Sequence, residues 1–110
     1  MTLATPRSLG SSLLLAAALL MPLGVRAQAE ELKVTIDNFT FTPAELKVKV
    51  GDTVTWSNHD DIPHTVVSAG KFRSKAMDTD GTFSFTFTAA GEYKYFCSLH
   101  PHMTGTITVE

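Results

Sequence analysis

The sequence has one cysteine in 110 residues. Small exported domains held by disulfides use cysteines in pairs, so a disulfide framework is excluded. Beyond residue 30 no stretch of useful length places apolar residues at helical spacing. That absence excludes helical bundles and points to strands. Internal repeats and low-complexity segments are missing as well. Cations are few, nine Lys and Arg against eleven Asp and Glu, and such a balance gives no electrostatic reason to seek nucleic acid.

The long apolar run is confined to the start. Leu9 to Leu23 is interrupted only by Gly10, Ser11, Ser12 and Pro22. Arg7 precedes it, and Ala27-Gln28-Ala29 follows with small residues at both cleavage positions. This is the pattern of a secretory signal peptide over residues 1–29, cut after Ala29 or, alternatively, after Ala27. The run falls short of the ~20 residues of a spanning helix, so stable membrane insertion is not expected. No cysteine lies near the cut and no twin-Arg pair precedes the run, which argues against a lipid anchor and for export in the unfolded state. The mature domain is then residues 30–110. Arg7 and Arg26 are the only charged residues lost with the signal, so the formal charge moves from −2 to −4.

Alternation with period two dominates that domain. It runs over Leu32–Asp37, over Phe39–Thr42 before Pro43, and over Glu45–Val50 with Leu46, Val48 and Val50 on one side. Thr53–Asn58 follows the Gly51-Asp52 turn, with Val54 and Trp56 inward. A polar loop, His59 to Pro63, delivers His64, and His64–Ser68 reads as a short strand. Ala69–Gly81 has no clear period and reads as a long connection with room for a brief strand or turn. Thr82–Thr88 sets Phe83, Phe85 and Phe87 against four hydroxyl residues. Tyr93–Cys97 puts Tyr93, Tyr95 and Cys97 on one face, and Gly105–Val109 is the last strand. Seven to eight short strands predict an all-β, antiparallel Greek-key sandwich or barrel.

The chemistry sits near the end, in Cys97-Ser98-Leu99-His100-Pro101-His102-Met103. C-x-x-H-x-x-M offers a thiolate, an imidazole and a thioether, a soft set that suits copper better than magnesium or calcium. A blue-copper site needs two imidazoles, one thiolate and a long axial Met. The missing imidazole is assigned to His64, which the strand pattern can bring to the same end of a sandwich. A lone thiol in an oxidising compartment is a liability unless something protects it, and metal ligation would. Each residue has a plainer reading: Cys97 as a small buried hydrophobe, His64 as a loop residue at a strand end, Met103 as a gap-filler. His59 and His102 are expected in solvent, and Met77 in the core or at its rim.

The mature chain resembles the cupredoxins, and among them the plastocyanin and amicyanin group. The resemblance is carried by Phe41-Thr42-Pro43, Val50 to Asn58, Pro63-His64-Thr65-Val66, Phe85 to Phe87, Gly91 to Cys97, and His100 to Gly105. It covers nearly all of residues 32–110, and the two-residue gaps on each side of His100 look most like amicyanin. The Ala69–Gly81 segment does not match amicyanin well. The resemblance implies one type 1 copper with His64, Cys97 and His100 as equatorial ligands and Met103 as axial ligand. It also implies that Asn58 ties the two ligand loops together, with Ser98 taking part. The function it implies is one-electron transfer outside the cytoplasm, in the periplasm or a similar space, by a monomer with transient redox partners.

Electrons would then pass through His100, beside Pro101, with Asp60 and Asp61 steering a basic partner. A copper carrier or scavenger is the alternative reading, and zinc is a possible occupant. A copper enzyme of the nitrite reductase kind would need a second histidine cluster, for which only His59 and His102 are spare.

Overall fold

The computed structural model describes residues 30–110. The proposed signal segment, 1–29, lies outside the described residues. Nine strands follow one another: β1 (Glu31–Asp37), β2 (Thr40–Thr42), β3 (Glu45–Val48), β4 (Thr53–Asn58), β5 (Val67–Ser68), β6 (Phe72–Arg73), β7 (Thr82–Thr86), β8 (Gly91–Cys97) and β9 (His100–Val109). They form a four-stranded sheet ordered β2-β1-β4-β7 and a five-stranded sheet ordered β3-β9-β8-β5-β6. The all-β sandwich is as expected from alternation.

Strand direction departs from the expectation of a purely antiparallel fold. β1 pairs with β4 in parallel, and so does β3 with β9. The chain crosses to the other sheet after β2, at Pro43, makes β3, and returns as β4 alongside β1. A strand re-entering by such a crossover lands parallel to the first. Alternation records which face is buried but carries no strand direction, so the sequence left this open.

Inward positions match the period-two reading. Val34, Ile36, Val54, Trp56, Phe41, Tyr95 and Ile107 are all buried in one cluster, each large side chain worth roughly 1.5–3 kcal/mol against exposure. Phe72 of the short β6 lies among Phe83, Phe85 and Phe87, with ring centroids 6.1, 4.8 and 5.8 Å away. That contact gives the unpatterned Ala69–Gly81 connection its anchor in the core. Val50 is half exposed, since β3 ends at Val48 and the turn carries Val50 outward.

Two local differences bear on function. His64 is not in a strand. It makes an isolated bridge with Met77, N–H to carbonyl in both directions at 3.2 and 2.8 Å, and β5 starts only at Val67. The last strand begins at His100 rather than Gly105, despite Pro101.

Candidate metal centre

Cys97 and His100 face each other across the β8–β9 hairpin, with only Ser98 and Leu99 between them. C-x-x-H spacing is thus the spacing of a two-residue hairpin loop. Between the Phe96–Thr104 and Cys97–His100 pairs, one step on β8 answers four on β9. An irregularity of this kind re-aims side chains at the end of a sheet. It frees His100 and Met103 from strict alternation: Met103 is buried in the core cluster, while His100 stays half-buried at the surface.

His64 arrives from the other sheet. Asn58, fully buried at the end of β4, gives Nδ2 hydrogen bonds to the carbonyls of Ile62 and Met77, both 2.9 Å, and accepts the Asp60 N–H at 2.9 Å. Those bonds fold the 59–63 loop back so that the following His64 points into the protein. Asn58 makes no bond to the Cys97 segment. The expected tie between the two loops exists, but Thr65 makes it: its Oγ1 accepts the Ser98 N–H at 2.8 Å and shares a hydrogen bond with Ser98 Oγ, also 2.8 Å. Its backbone N–H donates to Cys97 Sγ at 3.3 Å. Ser98 is Thr65's partner in both of those bonds, and Thr65 is the residue that sequence reasoning missed.

Asp60 was missed in a different way. Its carboxylate is half-buried and bonded within its own chain. It accepts the backbone N–H groups of Asn38 (2.6 Å) and Phe39 (3.0 Å) and lies 2.7 Å from His64 Nε2. The Phe39 N–H foremost, then those of Asn38 and the His64 ring, outweigh burial and hold Asp60 down at about 2. An ionised carboxylate accepts, so Nε2 of His64 carries the proton and Nδ1 keeps its lone pair. That Nδ1 faces Cys97 Sγ, 3.8 Å away. Asp60 therefore selects the tautomer and aims the ring, as carboxylates do behind metal-binding histidines. Of the two acids assigned to steering, only Asp61 is exposed.

His64, Cys97 and His100 place one donor atom each within 4.8 Å of one another. Sγ is 3.6 Å from His100 Nδ1. Burial pushes the Cys97 thiol up, while the N–H groups of Thr65 and Leu99 pull it down towards the thiolate, the form that binds metal. Separations of 3.6 and 3.8 Å are spanned by two metal–ligand bonds of roughly 2.0–2.3 Å at a wide angle. Two imidazole lone pairs and a thiolate, with a thioether alongside, fit copper in donor chemistry. Met103 lines the same surface hollow as His100. His59 and His102 are exposed and outside the cluster, and Met77 is buried core.

The sequence matches the family model of the cupredoxin-like domain over residues 10–109. It is 40% identical to amicyanin of Paracoccus denitrificans over 70% of this chain and 63% of that one. Amicyanin of Paracoccus versutus is 36% identical, over 74% and 67% respectively. Among solved structures, an amicyanin variant in a Cu(I) form superposes with a TM-score of 0.70 at 37% identity, covering 73% of this chain and 82% of that one. Because the match runs through all nine strands and both segments that build the cluster, the chain belongs to the cupredoxin-like family.

Proposed function

We propose that the protein is an exported one-electron carrier, with one copper held by His64 Nδ1, Cys97 Sγ and His100 and with Met103 as the weaker fourth ligand. The observation that carries this reading is the His64–Cys97–His100 cluster, whose three donor atoms lie within 4.8 Å of one another. Similarity to amicyanins supports it. Bound copper would supply a Cu(I)/Cu(II) couple. The protein's part is to keep its ligands still while charge changes. His64 is locked by Asp60 and by its backbone bridge to Met77, and Cys97 is locked by Thr65. Little rearrangement is then needed for transfer.

His64 and Cys97 are fully buried, whereas the His100 edge reaches solvent. Electrons accordingly pass through His100, beside Pro101, in a small transient encounter. Export is supported by the N-terminal apolar run and the single cysteine. Among the described residues no helix is long and apolar enough to cross a membrane.

Mixing the reduced, copper-loaded protein with an oxidised, copper-free redox protein tests this. Rapid electron exchange with the copper retained is expected. Copper appearing on the acceptor would instead identify a copper carrier or scavenger.

A further inference from the structure

We propose that Phe39 is the gate of the metal centre: its ring, held over His64 and His100 by a hairpin turn that Asp60 pins, sets the rate at which small molecules reach Cys97 and at which metal leaves. The part concerning metal rests on the copper reading above; the part concerning Cys97 does not.

Phe39 occupies a place where a phenylalanine is not expected. Asp37 pairs with Thr40, so Asn38 and Phe39 form a two-residue hairpin loop. Both have positive φ, 52° and 57°, as the type I′ turn of such loops requires. Asn suits the first position, but the second is normally glycine, because a bulky side chain there strains the backbone. Phe39 is also 47% exposed, so the core gains little from it. By period-two alternation it should share the inner face with Phe41; instead Phe41 is buried and Phe39 sits in the turn. A strained, exposed aromatic is a reason to look for a role outside folding.

Its surroundings supply one. The ring meets His64 edge-on at 5.3 Å between centroids and His100 edge-on at 5.0 Å. These two imidazoles are themselves 5.0 Å apart, so the phenyl ring spans the seam between them, and their Nδ1 atoms lie 3.8 and 3.6 Å from Cys97 Sγ. The turn is fixed in that position by the same carboxylate that fixes His64: Asp60 receives the N–H of Asn38, the N–H of Phe39 and Nε2 of His64. Turn and imidazole therefore share one anchor. An apolar cover of this kind controls solvent access to a metal site.

The test is alkylation of Cys97 by iodoacetamide in the metal-free protein, together with copper loss to a soluble chelator from the loaded protein. Phe39→Gly supplies the residue that the turn prefers, so the thermal midpoint of the metal-free protein should hold or rise. Alkylation should nonetheless run about tenfold faster, by local opening rather than unfolding, and copper loss should accelerate with it. Phe39→Tyr, which keeps the ring, should behave as wild type. Val50→Ala, which trims an exposed side chain beyond the end of β3 and outside the cluster, should change neither rate. Wild-type alkylation in Phe39→Gly, fast alkylation in Phe39→Tyr, or equal acceleration in Val50→Ala would overturn the proposal. Failure of the wild-type protein to take up copper would count against the copper reading and leave the alkylation result standing.

Discussion

Replacing Gly105 by alanine is expected to destabilise the fold by about 3 kcal/mol, at the upper end of the usual overpacking range. Gly105 lies in β9 directly opposite Tyr95 of β8. A Cβ at this position would fall inside the van der Waals envelope of Tyr95 Cζ and Oη. The ring has nowhere to go, since it packs edge-on against Phe41 at 4.7 Å and Trp56 at 5.4 Å. It is also deeply buried, which pushes its hydroxyl up to about 12. Displacing Tyr95 would shift β8 two residues before Cys97, so the cluster should loosen as well. Chemical denaturation of the metal-free protein reads the first effect. A Gly105→Ala variant with an unchanged midpoint would show that the strand pair can part without cost.

Asp60→Ala should lower copper affinity by roughly 10–100-fold, the usual cost of losing the group that orients a metal-binding histidine. The loss is larger than a surface carboxylate would give because three groups depend on this one side chain. Competition for copper against a chelator of known strength measures it. Unchanged affinity would mean that the Met77 bridge alone aims His64. The same carboxylate makes a prediction in acid. Its folded value of about 2 lies below the ordinary ~3.9 of an unfolded Asp. A depressed acid of this kind contributes stability that is fully present above pH ~4 and lost as the pH falls from there towards 2. Asp60→Asn should flatten the stability profile of the metal-free protein in that window alone.

The parts of this molecule that the sequence revealed are the local ones. C-x-x-H could be recognised because a two-residue hairpin places Cys97 opposite His100 without help from the rest of the fold. The inner faces could be read because Trp56 and Tyr95 obey a period of two. His64 was found because a soft-metal set lacking one imidazole needs another, and a polar loop ending in Pro63 was the place to supply it. What escaped depends on residues that meet only after folding. Asp60 lies 22 residues from Asn38 and Thr65 lies 33 from Ser98, and no periodicity connects them. Asp60 looked like one of two surface acids, and Asn58 like the bridge between loops. Phe39 looked like a strand residue because Phe-Thr-Phe-Thr alternates, and only the turn geometry shows that its first ring leaves the core. Parallel pairing was invisible because alternation has no direction.

Addition of Cu(II) to the purified protein, followed by its visible spectrum, bears most directly on the central claim. One thiolate–copper bond at Cys97 predicts intense blue absorption that saturates at one equivalent and is abolished by Cys97→Ala. A colourless wild-type product, or colour that survives Cys97→Ala, would contradict it.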